Sequence, residues 1–198
     1  MTKTLVFLCG PNGIGKTTIG LALMRRLPGS AYVDTDPCRT MNPPVLDDVT
    51  IPTIAANIAC LIRNYLLCDV VHTVIFSYGF HGRRREVFNA VMRALAGGPA
   101  PAGDPALAGD PALAGDPALA GDPALAGVSF DFVPLLLTCD EAENVRRMRA
   151  DGRDPERIQR ALEHSRPAYA GVDYPRIDIT RLSAEEAAAA ILVHLHRT

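Results

Sequence analysis

The sequence predicts an α/β fold in three layers: a five-stranded parallel sheet in the order 2-3-1-4-5, helices on both faces, and an arginine-rich lid after the fourth strand. Three observations predict the α/β class with its parallel sheet. Short apolar runs alternate with longer stretches of helical periodicity, the arrangement that yields parallel strands joined by crossover helices. A glycine-rich turn joins the first run to the first helix, and acidic residues close the second run.

Taken in order, Leu5-Val6-Phe7-Leu8 form the first buried strand, within a strand-like stretch from Thr4 to Cys9. A helix from about Lys16 to Leu27 follows and stops at Pro28-Gly29. Ala31-Tyr32-Val33 is a second short strand, ended by Asp34-Thr35-Asp36-Pro37, where proline blocks further pairing. Ile51, Ile54, Ala55, Ile58, Leu61, Ile62, Tyr65 and Leu66 recur at helical spacing, so one face of that helix is core. Val70 to Phe76 is the third strand, and an amphipathic helix runs from roughly Arg84 to Leu95.

The pattern then breaks. Residues 103 to 126 are four tandem copies of Gly-Asp-Pro-Ala-Leu-Ala, and a hexad carrying both Gly and Pro suits neither a helix interior nor a central strand. A single domain over residues 1–198 with a low-complexity insertion at about 97–127 is the reading. Four short copies with one leucine each would bury too little for a β-helix. Phe130 to Leu137 is the fourth strand, and Asp140 to Arg149 a helix whose acidic start and basic end match the helix dipole. A loop around Gly152, a helix from about Pro155 to His164, a fifth strand at Ile177-Asp178-Ile179 and a last helix opened by the capping-box pattern Ser183-Ala184-Glu185-Glu186 complete the chain.

Composition narrows the partners. The 198 residues are 48% hydrophobic and 21% charged, which suits one globular domain. With 20 basic and 22 acidic residues, a formal charge of −2 provides no general attraction to nucleic acid or an anionic membrane. A small-molecule partner is expected, and a monomer or homodimer. The five cysteines are odd in number, widely spaced and free of any CxxC pair, so neither a disulfide framework nor a zinc site is supported. No apolar signal region opens the sequence, and no apolar run approaches the ~20 residues of a membrane span. A cytoplasmic location is the expectation.

The chemistry lies in Gly10-Pro11-Asn12-Gly13-Ile14-Gly15-Lys16-Thr17, which matches GxxxxGK[ST] between a strand and a helix, where the phosphate-loop mechanism requires it. Polyphosphate oxygens need many donors at short range. Backbone N–H groups from Gly10, Asn12, Gly13, Ile14 and Gly15 supply them, and glycines permit the positive φ values and the close approach. Lys16 is placed to reach the β and γ phosphates of ATP, the Thr17 hydroxyl to ligate Mg²⁺, and Thr18 to assist at the α phosphate. Phosphate binding alone does not name the reaction. The sequence has no NKxD guanine-specificity motif, no LSGGQ signature and no length for the helical domain of an oligomeric ATPase.

The loop, followed by Asp34-Thr35-Asp36, resembles the small P-loop kinases of the shikimate, gluconate and adenylate kinase group. The arginine-rich segment from Arg146 to Arg160 and Arg166-Pro167-Ala168-Tyr169 strengthen the likeness, which covers nearly the whole chain except the repeat. The run from Ala31 to Pro44, with Asp36, Cys38 and Met41-Asn42-Pro43, is also similar to bacterial ATP-binding kinase-like proteins whose substrate the resemblance does not supply. It implies ATP and Mg²⁺ as cofactors, Asp34 on the metal, and Asp36 orienting or deprotonating an acceptor hydroxyl. Arg149 and Arg153, beside the Gly152 hinge, are expected at the nucleotide as catalytic groups, and Asp36, Arg39, Arg83 and Arg166 at the acceptor. A plainer role for Asp36 is a cap on the turn before Pro37, and for Arg83-Arg84-Arg85 a solvated basic turn. One departure stands out: the third strand runs into Phe76-Ser77-Tyr78-Gly79-Phe80, without a Walker B aspartate. Ser77 is a candidate water-mediated metal helper. Transfer of the γ-phosphoryl group of ATP to a small-molecule hydroxyl is therefore the leading expectation. Its rivals are a nucleotide-binding regulatory ATPase without small-molecule kinase activity, and a nucleoside or nucleotide kinase.

Overall fold

Seven consecutive residues of β1 (Lys3–Cys9) run through the middle of the sheet, and their alternation sets the layers. Leu5, Phe7 and Cys9 face one hydrophobic cluster, Val6 and Leu8 the other, as the two-residue period of a strand buried on both sides dictates. The computed structural model describes residues 2–96 and 130–196, so the expected insertion at about 97–127 lies outside the described residues.

Beyond β1 the order is α1 (Lys16–Arg26), β2 (Ser30–Val33), α2 (Thr50–Leu67), β3 (Thr73–Ser77), α3 (Arg84–Ala96), β4 (Phe130–Thr138), α4 (Glu141–Ala150), α5 (Pro155–Arg160), β5 (Arg176–Asp178) and α6 (Ala184–Leu195). The strands pair β2-β3-β1-β4-β5, all parallel, as expected. Ile54, Ile58 and Ile62 of α2 and Phe88 and Val91 of α3 pack with Phe7, Val74 and Phe76 on one face. Phe7 stacks on Phe76 and Phe88 at centroid separations of 4.7 and 4.5 Å. On the other face Ile19 and Leu23 of α1 and Ala187, Ala188 and Ile191 of α6 cover Val6, Ile75, Leu135 and Leu137. The Ser183 capping box forms as its sequence pattern requires, with Ser183 Oγ accepting from the Glu186 N–H at 3.2 Å.

Two boundaries differ from the sequence reading by more than one residue. β3 begins at Thr73 rather than Val70, because the chain first makes a turn in which the Val71 N–H donates to the Cys68 carbonyl, leaving Val70 73% exposed. The expected helix over 155–164 splits after Arg160. Residues Ala161–Ser165 widen into a π turn in which the Arg166 N–H reaches back to the Ala161 carbonyl. Such widened turns re-aim a side chain, and here the side chain is Ser165.

Candidate functional site

Register brings the loops together. Leu8 pairs with Ser77 across β1 and β3, and Val33 with Phe76 across β2 and β3, so the glycine loop, the Asp34–Asp36 turn and the Ser77–Phe80 segment all leave the sheet at its carboxyl edge. Between them lies a cleft of about 260 Å³. Asn12, Gly13, Gly15, Lys16, Thr17 and Thr18 line it from the glycine loop and the start of α1. Asp34, Asp36, Arg39, Ser77, Tyr78 and Arg84 line it from the segments after β2 and β3, and Arg153 and Arg157 from the segment after α4.

The loop takes its shape from positive φ at Gly10, Gly13 and Gly15. At Gly13 (φ +78°) the approach of α4 is so close that an added Cβ would lie 2.1 Å from the Met148 Cγ. Gly15 caps α1 with no side-chain partner, and the first turn of α1 holds no acidic residue, so the helix start keeps its partial positive charge for an anion. Two of the expected donors are already engaged: the Asn12 N–H donates to Ser165 Oγ at 2.9 Å and the Ile14 N–H to the Pro11 carbonyl at 3.4 Å. Ile14 is buried and lines neither this cleft nor its neighbour; its carbonyl accepts from Arg147 at 3.0 Å. The Asn12 carbonyl accepts from the Asn144 amide at 3.1 Å. The loop tip is thus pinned by α4 and by the π turn.

Lys16 Nζ donates to the Gly10 and Pro11 carbonyls at 2.8 and 2.9 Å. Burial, with Arg84 and Arg153 adding to it, lowers its pKa to about 8. Tyr32 crosses α1 at Gly20, where a Cβ would meet its ring at 2.4 Å, and its hydroxyl lies 2.8 Å from Ser77 Oγ. Asp34 is exposed, and one of its oxygens accepts the Asp36 N–H at 3.0 Å. Asp36 is exposed and ion-paired with Arg39 at 2.7 Å. Asp36 stands at the start of the short 3-10 turn Pro37–Arg39, but its carboxylate makes no capping hydrogen bond there; it pairs with Arg39, and the turn is closed by Asp34 instead.

Other expected residues fall elsewhere. Arg83 lines neither this cleft nor its neighbour; it pairs with Asp48 and Glu86. Its sequence neighbour Arg84 enters the cleft instead, with its guanidinium 5.7 Å from the centroid of the Tyr78 ring. Arg149 is exposed on the last turn of α4, outside both clefts, because helical spacing commits its neighbour Met148 to the contact with Gly13. Arg166 donates to the Cys139 carbonyl at 3.2 Å and lies 3.9 Å from Glu141, also outside both. Arg153 is brought to the site. Sequence reasoning missed Tyr169, whose buried hydroxyl accepts the Phe80 N–H at 3.0 Å and a hydrogen bond from Gly10, tying β3's end to the loop. Only the family likeness of Arg166–Tyr169 pointed toward it.

A second cleft of about 500 Å³ shares Gly13, Gly15 and Thr18 with the first and extends to Arg146, Arg147, Thr180, Leu182 and Ser183. Arg147 builds its floor by donating to the Ile179 carbonyl at 2.7 Å and the Leu182 carbonyl at 3.1 Å. Among the described residues no group of three His, Cys, Asp or Glu could hold a metal ion, and no helix is long and apolar enough to cross a membrane.

No protein-family model matches the chain, and no curated protein matches its sequence. Solved structures do match. The chain is similar to the tunicamycin resistance protein of Deinococcus radiodurans (TM-score 0.61, 15% identity, 98% of this chain and 95% of that one). It is also similar to a gluconokinase from Sinorhizobium meliloti (0.54, 16%, 98% and 94%) and to shikimate kinase from Acinetobacter baumannii (0.55, 15%, 99% and 94%). The chain has the fold of the small P-loop kinases over nearly its full length.

Proposed function

We propose that the chain is an ATP- and Mg²⁺-dependent phosphotransferase that moves the γ-phosphoryl group to a hydroxyl of a small-molecule acceptor. The observation that carries this reading is the single cleft lined by Lys16 and Thr17, by Asp34 and Asp36, and by Arg153 and Arg157. The amides of Gly13, Gly15, Lys16 and Thr17 and the start of α1 bind the phosphates, and Lys16 neutralises their terminal charge. The second cleft continues from the same glycines and, at about 500 Å³, lies in the size range of small-ligand sites, so it receives the nucleoside.

The Thr17 hydroxyl and the Asp34 carboxylate are hard oxygen donors lining the same cleft, a sparse set of the kind that suits Mg²⁺ bound with phosphate oxygens and water. Bound there, the ion neutralises charge on the phosphates. Asp36 orients the acceptor hydroxyl and takes its proton as the new P–O bond forms and the bond to the ADP oxygen breaks. Arg153 and Arg157 stabilise the charge spread over the transferring group and exclude water.

The test is incubation with labelled ATP, Mg²⁺ and a panel of metabolites and antibiotics, comparing wild type, Lys16→Ala and Asp36→Asn. Transfer of label by wild type alone supports the reading. Equal ATP binding by all three with no acceptor labelled overturns it. One observation favours a second reading, a regulatory module that binds ATP without useful turnover: β3 ends on Ser77, whose hydroxyl is paired with Tyr32, where a metal-binding carboxylate would serve turnover.

A further inference from the structure

The segment that carries Arg153 and Arg157 has a small core of its own. Met148 of α4, Ile158 of α5 and Ala161 at the head of the π turn pack together there, apart from the two clusters that sandwich the strands. That core sits on the phosphate loop, because Met148 is the side chain that an added Cβ at Gly13 would strike. Its two flanks then hold one loop residue. One turn of α4 before Met148, the Asn144 carboxamide donates to the Asn12 carbonyl at 3.1 Å. One turn after Ala161, the Ser165 hydroxyl accepts the Asn12 N–H at 2.9 Å. Asn144 and Ser165 are each 1% exposed, and neither lines either cleft. Between them lies the whole arginine-bearing segment, turned at Gly152 (φ +71°). The Met148 carbonyl also accepts the Arg153 N–H at 3.1 Å, so the residue that meets Gly13 fixes where Arg153 leaves the helix.

Hydrogen-bond satisfaction alone does not require this arrangement. Asn12 lines the cleft, where water or a phosphate serves a backbone N–H, yet two buried side chains from opposite ends of the lid are committed to it. The second is aimed by a π turn, a rare feature that gathers at functional sites. Resting on the phosphotransferase reading above, we propose that Ser165 and Asn144 are positioning residues of the transfer step: by holding the N–H and the carbonyl of Asn12, they register the lid core against the phosphate loop and so set Arg153 on the terminal phosphate. Both act through Asn12. A guanidinium on a long side chain helps the transferring group only when its base is placed to within about an ångström. A segment hung from α4 alone would leave that placement to the chain after Gly152, whereas a segment anchored at both ends on one loop residue takes its position from the phosphate site itself.

The experiment titrates the full chain calorimetrically, with Mg²⁺ present, against ADP and against the non-hydrolysable β,γ-imido analogue of ATP. The ratio of the two affinities reads the contact with the terminal phosphate. Wild type is compared with Ser165→Ala, Asn144→Ala, Arg153→Gln and the two double variants that combine either alanine with Arg153→Gln. Ser165→Cys, which keeps the volume and offers a weaker acceptor, replaces Ser165→Ala if that variant does not fold. The expected result is that wild type prefers the analogue and that Arg153→Gln, Ser165→Ala and Asn144→Ala each lower the ratio about 5- to 10-fold, with ADP affinity within about twofold of wild type. Added to Arg153→Gln, neither alanine lowers the ratio further, since both act through that arginine. Equal losses for ADP and the analogue would reduce the two residues to supports of the loop and overturn the proposal. So would an unchanged ratio, a further loss on top of Arg153→Gln, or a wild type that binds both nucleotides alike. The kinase reading fails on a different readout: a ratio that responds as stated while no acceptor receives label from ATP.

Discussion

Replacing Gly13 by alanine tests whether the phosphate loop is shaped by contact with the lid helix or merely follows the local chain. At φ +78° an L-residue is strained, by about 1–2 kcal/mol for the left-handed region. The new Cβ would also lie 2.1 Å from the Met148 Cγ and 2.8 Å from its Sδ, in a contact where Met148 is fully buried. Overpacking of this kind costs a further ~1–3 kcal/mol. Gly13→Ala is therefore expected to destabilise the protein by about 2–5 kcal/mol in urea unfolding. Met148→Ala alone loses a buried side chain and costs about 2–5 kcal/mol. The double variant separates the two causes, because truncating Met148 relieves the clash and leaves the backbone strain. Its loss should fall short of the sum of the singles by about 1–3 kcal/mol. Strict additivity would refute the claim that α4 presses on the loop, and a Gly13→Ala loss below ~0.5 kcal/mol would refute the strained geometry as well.

Three further outcomes follow from the same site. Arg153→Gln should lower kcat about 100-fold or more through lost transition-state stabilisation, while Arg149→Gln, outside both clefts, stays within about threefold; steady-state kinetics with the preferred acceptor would reverse the assignment if Arg149 dominated. Because the pKa of Lys16 sits near 8, below that of an ordinary lysine, its charge disappears as pH rises through that value. Affinity for Mg²⁺-nucleotide should accordingly be full below pH 8 and fall above it, and Lys16→Arg should abolish that alkaline fall; a wild-type profile flat to pH 10 would contradict this. Tyr169→Phe leaves the buried Phe80 N–H without its acceptor and is expected to cost about 1–3 kcal/mol in denaturant unfolding, with weakened nucleotide binding through the Gly10 end; unchanged stability would show the bridge to be dispensable.

The strands and the helices between them were legible because the signals are local and repeated: apolar runs such as Leu5–Leu8, helical spacing such as Ile54, Ile58 and Ile62, and a glycine loop between the first strand and helix; their order in the sheet came with the resemblance to the small P-loop kinases. The loop and the Asp34–Asp36 turn were legible for a second reason, since parallel strands joined by crossovers must deliver both to the same edge of the sheet. What could not be read was which of several similar residues faces inward. Arg83, Arg84 and Arg85 are equivalent as letters, but Arg83 ends the turn before α3 and pairs with Asp48 and Glu86, while Arg84 and Arg85, adjacent helical positions about 100° apart, go to the cleft and over the Phe80 ring. Arg149 and Arg153 are separated by the end of α4 at Ala150, after which the turn through Gly152 carries Arg153 to the cleft. Contacts between distant segments were equally hidden: Ser165 on the Asn12 N–H and Tyr169 on Phe80 and Gly10. The sequence by itself determined the fold class and the phosphate loop, because those rest on short-range periodicity and backbone freedom. Tertiary structure alone decided which side chains line the cleft, because that depends on the rotation of one packed element against another, which no local pattern encodes.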